Sequence, residues 1–224
     1  MNVYSGDRIA KVLGIGWSKA DLLINAPDIR EAIRGRHHLD ERPIVLFAPT
    51  YIRERSTDQL PGTTDKAKEV VAALPECNVL FLPHQMCDYR DYFKDYPLRI
   101  DPEYDRKHEY LLGCDLLISD NSSMIFEAAL LDRPIVLLNR TEYPTYLNVW
   151  KVRENDAFGG DLVDVGDFVD ASDLTNLQQA VLQNLANPGR WRERRAYWAE
   201  KALGYCDGRS TEKIVDKIEE VIGG

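Results

Sequence analysis

Short runs of apolar residues alternate with amphipathic stretches along most of this chain. Four runs are almost entirely apolar, which is typical of strands buried on both faces of a sheet, and they lie at 44–48, 78–82, 116–118 and 135–138. Apolar residues recur at helical spacing at 64–74, 104–112 and 124–131. Strands that alternate with helices predict an α/β fold with a doubly wound parallel sheet of the Rossmann-like kind.

The remaining segments add elements with weaker patterns. We predict a strand leading into a glycine turn at 9–16, a polar loop with solvent-exposed histidines at 30–42, and a short strand at 161–169. A short helix, a short strand and a loop-rich region are predicted at 86–95, 98–100 and 141–158. Helical patterns then fill 174–222, so we predict a single domain over 1–224 that ends in helices.

A polar turn, Asp120 to Ser123, links the strand and the helix of a predicted βαβ unit at 114–139. Ligands of open α/β sheets bind outside the carboxyl ends of the strands, and a helix N-terminus favours a phosphate there. Asp120, Ser122 and Ser123 are therefore candidate phosphate-binding residues, and Glu127, one turn later, could reach a ribose hydroxyl. The same pattern fits equally a plain serine-capped helix with a solvated Glu127.

Two other predicted strand ends carry polar residues that suit a phosphate. Thr50 and Arg53 follow the run at 44–48, and an Arg guanidinium binds phosphate through bidentate hydrogen bonds. His84 follows the run at 78–82, where an imidazole can donate to a phosphate or exchange a proton. Each residue alone fits an ordinary polar loop, but their repeated placement at strand ends predicts one site beside the sheet crevice.

Charge and cysteine content narrow the protein class. The net charge is -9, which argues against a nucleic-acid partner and requires any phosphate site to be made locally. The four cysteines show no CxxC spacing, as expected of a reduced, cytoplasmic protein. The first residues carry Asp7 and Arg8 and no apolar core, so we predict no signal peptide. The expected location is the cytoplasm, either free or peripheral at the inner face of the membrane.

No cofactor is predicted from the sequence. The histidine pair His37 and His38 has no third ligand nearby, and side chains of neighbouring residues on an extended segment point apart. No ligand cluster therefore indicates a resident metal, although Mg²⁺ could bridge the phosphates of a substrate.

Three motifs occur along the chain in a familiar order, namely Ala48-Pro49-Thr50, Leu82-Pro83-His84-Gln85, and DLLISDNSSMIFEAALLDRPIVLLN at 115–139. This order resembles the CDP-glycerol glycerophosphotransferase family of teichoic-acid and capsule polymerases. The segment GIGWSKADLL at 14–23 is similar to the G-x-P-R-N-D-L-L segment of that family, and CDGRSTEKIVDKI at 206–218 is similar to its D-G-x-x-S-x-x-x-x-D helix. The resemblance covers nearly the whole chain, and its most specific part is the serine-containing motif.

The resemblance implies the carboxyl-terminal, donor-nucleotide half of a GT-B fold. Family members transfer glycerol phosphate or a similar polyol phosphate from a CDP-activated donor to an acceptor hydroxyl and release CMP. Carried over, Ser122 and Ser123 would hold the donor pyrophosphate, Glu127 would contact the ribose, and His84 would stabilise the phosphate charge that develops in the transition state. The implied acceptor is a glycan or polyol phosphate, either soluble or anchored in a membrane.

Departures from the family pattern leave the substrate open. Asn121 stands where the family usually has Tyr, Gln85 replaces a Pro, and Lys19 replaces an Arg. The H-G-T-P-x-K motif, whose histidine is the expected general base, belongs to the other half of the fold and does not occur in this sequence. We therefore expect a chain that needs an amino-terminal half, in cis or in trans. Two alternatives remain, a UDP-GlcNAc 2-epimerase-like enzyme and a non-catalytic nucleotide-binding module.

Overall fold

The computed structural model describes residues 2–5, 8–11, 15–50, 63–84, 107–120, 122–139 and 163–223. The elements predicted at 86–95, 98–100 and 141–158 lie outside these residues, as does Arg53. That residues 1–224 form a single domain stays a prediction.

The first two strands form a hairpin of their own. Strands β1 (Asn2–Ser5) and β2 (Arg8–Lys11) pair antiparallel, with Ser5 opposite Arg8. The strand predicted at the start of 9–16 is confirmed as β2, but it belongs to this hairpin and not to the central sheet. The sequence between β1 and β2 is Gly6-Asp7, a two-residue connection of the kind that favours hairpins, and this signal was overlooked.

Five parallel strands form the central sheet, and they are β3 (Ile44–Phe47), β4 (Asn78–Phe81), β5 (Leu116–Ser119), β6 (Ile135–Asn139) and β7 (Asp167–Asp170). Their order across the sheet is β4-β3-β5-β6-β7. The parallel pairing and the apolar runs predicted for β3 to β6 are confirmed. Because β4 and β5 lie on opposite sides of β3, the order reverses between β3 and β5, and a ligand crevice is expected at their carboxyl ends.

Eight helices accompany these strands in the described part of the chain. They are α1 (Ser18–Ile24), α2 (Arg30–His37), α3 (Ala67–Ala72), α4 (Lys107–Gly113), α5 (Met124–Leu130), α6 (Leu177–Ala186), α7 (Arg192–Leu203) and α8 (Ser210–Gly223). Short 3₁₀ turns at Thr64–Lys66 and Leu174–Asn176 precede α3 and α6. None of the described helices has both the length and the apolar content needed to cross a bilayer.

The helices cover both faces of the sheet, which confirms the doubly wound class. Side chains alternate between the faces along a strand. Ile44 and Leu46 of β3 accordingly lie in one core with residues of α2, α4, α5 and α7. Val45 and Phe47 lie in a second core with residues of α3 and α6. The strands are thus buried on both sides, as their apolar sequences require.

Helix α2 lies where a polar loop was predicted at 30–42, and that prediction is wrong. Its sequence is rich in Arg, Glu and Ala, which have good intrinsic helix propensity, and Ile33 anchors it as a fully buried side chain. His38 is exposed at the end of the helix, as predicted. His37 is only half-exposed, and its Nε2 lies 3.1 Å from the hydroxyl of Tyr110.

The two outer segments of the chain pack against each other. The carboxylate of Asp21 on α1 accepts hydrogen bonds from the first backbone N–H groups of α8, from Ser210 at 3.0 Å and from Thr211 at 2.7 Å. Asn25 Nδ2 donates to the carbonyl of Gly208 at 2.9 Å. Asp21, Ser210 and Thr211 lie in the family-like segments at 14–23 and 206–218, so these two segments contact each other in the fold.

Candidate functional site

Asp120 joins three segments at the carboxyl edge of the sheet. It follows β5 and is 1% exposed, and its Oδ1 accepts from the backbone N–H of Thr50 at 2.8 Å and from the Thr50 hydroxyl at 2.6 Å. Its Oδ2 accepts from the N–H and the hydroxyl of Thr63 at 2.9 and 3.1 Å. Hydrogen bonds to a charged acceptor are stronger than neutral ones, so this carboxylate fixes the shape of the crevice.

The structure thus brings Thr50 and Asp120 together between β3 and β5, where the strand order reverses. Both oxygens of Asp120 are bonded to protein donors, which gives this residue a positioning role that the sequence did not indicate. Thr63, which completes the arrangement, was also overlooked, because nothing in the local pattern of the segment before α3 marks a contact with β5. Direct contacts of Thr50 and Asp120 with a phosphate stay predictions.

The serine pair lies at the start of α5, just after Asp120. Ser122 Oγ accepts a hydrogen bond from the N–H of Met124 at 3.3 Å, so Ser122 is a weak cap of this helix. Ser123 is exposed, and its hydroxyl makes no capping hydrogen bond to α5. The carbonyl groups of both serines accept from the N–H groups three residues on. An exposed hydroxyl beside a helix N-terminus can meet an anion, but phosphate binding by either serine stays a prediction.

His84 follows β4 at the same edge of the sheet and is half-buried. Burial lowers its pKa below the usual value of 6.5, the nearby charge of Lys107 lowers the pKa further, and Asp120 opposes both. The imidazole is therefore mainly neutral at pH 7, and one ring nitrogen then carries a proton that it can donate in a hydrogen bond.

Glu127 lies one turn into α5 and is 3% exposed, so the alternative of a solvated side chain is wrong. Its Oε1 accepts a hydrogen bond from Lys19 Nζ at 2.9 Å. Its Oε2 lies 3.2 Å from His108 Nε2, an ion-pair distance when the imidazole is protonated, although the two atoms lack the alignment of a hydrogen bond. Burial raises the pKa of Glu127, but His108 and Lys19 outweigh burial and hold the pKa below 4.5.

Lys107 and His108, at the start of α4, lie near Glu127 and Lys19, and both were overlooked in the sequence. The pKa of Lys107 lies below 10.5, first because of burial and then because of the neighbouring charge of Lys19, while Glu127 opposes the shift. A basic pair at the start of the helix before β5 was visible in the sequence. The proximity of this pair to Lys19, which lies far earlier in the chain, could not be seen in the sequence.

The family of the chain follows from a match over almost its whole length. The family described as CDP-glycerol:poly(glycerophosphate) glycerophosphotransferase matches residues 3–220. The chain belongs to this family. No curated protein sequence matches it.

Solved structures share the fold of this glycerophosphotransferase-family chain. The wall teichoic acid polymerase TagF has a TM-score of 0.65 at 22% identity, over 94% of this chain and 52% of TagF. A TagF variant soaked with CDPG has a TM-score of 0.62 at 20% identity, over 93% and 49%. S. aureus MnaA with UDP has a TM-score of 0.51 at 14% identity, over 92% and 53%. The chain therefore spans about half the length of the TagF chains that it matches.

Two buried thiols and the arrangement of possible metal ligands bear on the chemistry of the described part of this family member. No group of three or more His, Cys, Asp or Glu side chains is arranged there to hold a metal ion. Burial raises the pKa of the Cys77 thiol to about 11 and that of Cys114 to about 12. Both thiols are therefore protonated at neutral pH.

Proposed function

We propose that this chain is the donor-nucleotide half of a CDP-polyol phosphotransferase of the teichoic-acid or capsule type. It binds CDP-glycerol or a similar CDP-polyol, and together with an amino-terminal half it transfers the polyol phosphate to an acceptor hydroxyl. The observation that carries the proposal is the meeting of Thr50, Asp120, Ser122 and His84 at the carboxyl edge of the sheet, in a chain of the glycerophosphotransferase family.

In this proposal the described residues bind and orient the donor. Ser122 and Ser123 contact the diphosphate at the start of α5, and Thr50 lies beside them, held by Asp120. Arg53, outside the described residues, adds a further phosphate contact. Glu127 keeps the ribose role that the family resemblance implies, with Lys19 orienting its carboxylate.

The transfer step needs charge stabilisation more than covalent chemistry from the protein. The acceptor oxygen attacks the phosphorus that carries the polyol, and the bond from that phosphorus to the oxygen bridging the two phosphates breaks. CMP leaves with the electron pair of that bond. Neutral His84 donates a hydrogen bond to the oxygens on which negative charge develops. The proton of the acceptor hydroxyl passes to a general base of the amino-terminal half.

Two observations support the need for a second half. The chain spans about half of the TagF chains that it matches. The last helix, α8, also exposes an apolar stripe in which Val215, Ile218, Val221 and Ile222 are 48 to 79% accessible. A helix face of this kind is normally buried against a partner, and we assign it to the amino-terminal half.

Titration calorimetry with CDP, CMP, UDP and cytidine tests donor binding. We expect CDP to bind more tightly than UDP. The double variant Ser122→Ala/Ser123→Ala is expected to lose CDP affinity far more than cytidine affinity. The control Ser172→Ala, just after β7, removes a hydroxyl that donates to Asp170, and it is expected to behave like the parent protein.

Each other outcome of the titration has a distinct meaning. The absence of binding by any cytidine nucleotide would overturn the proposed function. Tighter binding of UDP than of CDP would instead favour the alternative of a UDP-GlcNAc 2-epimerase-like enzyme. Binding of CDP without turnover when an amino-terminal half is supplied would favour a non-catalytic nucleotide-binding module.

A further inference from the structure

Side chains from two distant segments of the chain face the two oxygens of the Glu127 carboxylate. Glu127 Oε1 accepts a hydrogen bond from Lys19 Nζ on α1 at 2.9 Å. Glu127 Oε2 lies 3.2 Å from Nε2 of His108, the second residue of α4. Because Glu127 is buried, these two neighbours decide how its carboxylate is oriented.

The contact between Glu127 and His108 is incomplete. Glu127 Oε2 and His108 Nε2 are both buried, and neither atom has a hydrogen-bond partner, because the pair lacks the alignment of a hydrogen bond. A ring lone pair that faced a carboxylate would be repelled, so Nε2 carries a proton in this arrangement. Buried polar atoms are nearly always bonded in folded proteins. The pair therefore offers one acceptor and one donor to a third group.

A hydroxyl is the group that satisfies both atoms at once. Its O–H donates to the carboxylate oxygen, and the lone pairs of its oxygen accept from the imidazole N–H. A phosphate oxygen would accept from His108 but would be repelled by the negative charge of Glu127. An ammonium group has three donors and no acceptor, so it cannot accept from the imidazole. The two atoms therefore favour a hydroxyl over a charged group.

Both residues lie at the edge of the sheet where the donor is proposed to bind. Glu127 follows Ser123 by four residues on α5, which is about 6 Å along a helix axis. Helix α4 leads into β5, and a helix before a parallel strand runs back from the carboxyl edge, so His108 near its start also lies at that edge. A ribose joined to a diphosphate at the serine turn spans such a distance.

The cluster is accessible from solvent through the side chains around the two buried atoms. The side chains of Lys19 and His108 are 30% and 19% exposed. The χ2 torsion of a histidine has a broad energy well, so a small turn of the His108 ring costs little. Such a turn admits a hydroxyl between the imidazole and the carboxylate.

We propose that His108 is a specificity-determining residue for the sugar of the donor nucleotide. Its Nε2–H and Glu127 Oε2 together bind one ribose hydroxyl, while Lys19 holds Glu127 Oε1. This inference rests on the proposed function, in which Glu127 contacts the ribose, and adds the second partner of that hydroxyl. The site selects a ribonucleotide, because a deoxyribose leaves both buried atoms without a partner.

The test is calorimetric titration with CDP, 2′-deoxy-CDP and 3′-deoxy-CDP. The parent protein is expected to bind one of the deoxy analogues about ten- to a hundredfold more weakly than CDP, because two buried polar atoms lose their partner. In His108→Phe, which keeps a planar ring without a donor, this ratio is expected to fall at least about fivefold. In His108→Gln the side-chain amide supplies a donor again, so most of the parent ratio should return.

The matched control is His38→Asn, which removes an imidazole from the exposed end of α2. Asn tolerates the φ of 52° at this position, so the control is expected to keep the affinities and the ratio of the parent protein. A purely structural role of His108 would weaken the binding of CDP and of its deoxy analogues alike. The ratio of their affinities would then be the same in His108→Phe and the parent protein.

The results separate this inference from the proposed function. If the parent protein binds CDP and both deoxy analogues equally, or if His108→Phe keeps the parent ratio, the role of His108 is overturned and the proposed function stands. If the parent protein binds no cytidine nucleotide, the proposed function fails, and the role of His108 fails with it.

A measurement on the parent protein covers a His108→Phe variant that does not fold. The ring-nitrogen NMR signal of His108 Nε2 is assigned by its absence from the spectrum of His108→Gln. It is expected to shift when CDP binds, because the N–H gains an acceptor, and to shift far less with the deoxy analogue that binds weakly. Equal shifts with saturating amounts of both nucleotides would overturn the role of His108.

Discussion

Lys19 Nζ donates a hydrogen bond to Glu127 Oε1 at 2.9 Å, across a sequence separation of 108 residues. In the sequence these residues belong to two unrelated features, a departure from a family-like segment and a candidate ribose contact. In the structure they form one ion pair, next to His108 at the start of α4. The replacement of the family's usual Arg by Lys at position 19 thus keeps a cation opposite Glu127.

Removing the charge of Glu127 is expected to destabilise the fold. In Glu127→Gln, Lys19 and His108 lose a buried anionic partner, so the free energy of unfolding should fall by roughly 1–3 kcal/mol. Denaturant unfolding measures this, with Glu219→Gln on the exposed surface of α8 as a control that leaves stability unchanged. Equal stability of Glu127→Gln and the control would contradict the prediction.

The same ion pair predicts that the stability of the fold depends on pH in the acid range. The pKa of Glu127 in the folded protein lies below 4.5, so the carboxylate contributes stability that is fully present above pH 4.5. That contribution is lost as the pH falls through the lower folded value. The difference in Tm between the parent protein and Glu127→Gln should therefore shrink as the pH falls below 4.5. A difference that stays constant would show that the pair does not titrate in this way.

Asp120→Asn should disturb the crevice more than a surface substitution of the same kind. In the parent protein, donors from Thr50 and Thr63 bond to the two carboxylate oxygens. An amide has one acceptor oxygen, so its NH₂ group would face the donors of one of these threonines. We expect a loss of roughly 2–4 kcal/mol in the free energy of unfolding. Asp216→Asn, exposed on α8, is the matched control, and similar stabilities for the two variants would argue against the positioning role of Asp120.

Donor affinity should depend on pH on both the acid and the alkaline side, provided that the proposed function is correct. Protonation of His84, whose pKa lies below 6.5, adds positive charge near the phosphates, so affinity should rise as the pH falls through that pKa. Deprotonation of Lys107, whose pKa lies below 10.5, removes charge, so affinity should decrease as the pH rises toward that pKa.

CDP-glycerol is the suitable probe for this pH profile, because its diester phosphates keep a constant charge over the range. The variant His84→Gln should abolish the change on the acid side, and Lys107→Gln should abolish the change on the alkaline side. A profile that is the same in the parent protein and both variants would contradict the assignment of these two groups.

Gly16 should not tolerate a side chain. It has a φ of 94°, and an added Cβ would lie 2.6 Å from Ser210 Oγ and 2.7 Å from the carbonyl oxygen of Tyr205. Gly16→Ala is expected to cost about 2–4 kcal/mol through backbone strain and overlap, measured by denaturant unfolding. Gly35→Ala in α2 meets no atom within 4 Å, and this control is expected to stabilise the protein by about 0.5–1 kcal/mol. A stable Gly16→Ala would mean that the outer segments do not pack as described.

The sequence predicted the strands of the central sheet well, because β3 to β6 are covered on both faces and therefore have almost no polar positions. It failed for α2, where Ile33 is the one buried residue and the others are mostly charged or small, so that no apolar face marks the helix. The hairpin β1–β2 was missed although its two-residue connection is a local signal.

The sequence by itself determined which elements form, and that polar residues such as Thr50, His84 and Ser122 follow buried strands. These features depend on local periodicity and burial, which a linear pattern records. Only the tertiary structure decided that Asp120 is bonded on both oxygens and that Lys19 and His108 face the two oxygens of Glu127. Hydrogen bonds and charge interactions act through space over a few ångströms, so their partners are set by strand order and helix packing rather than by spacing along the chain.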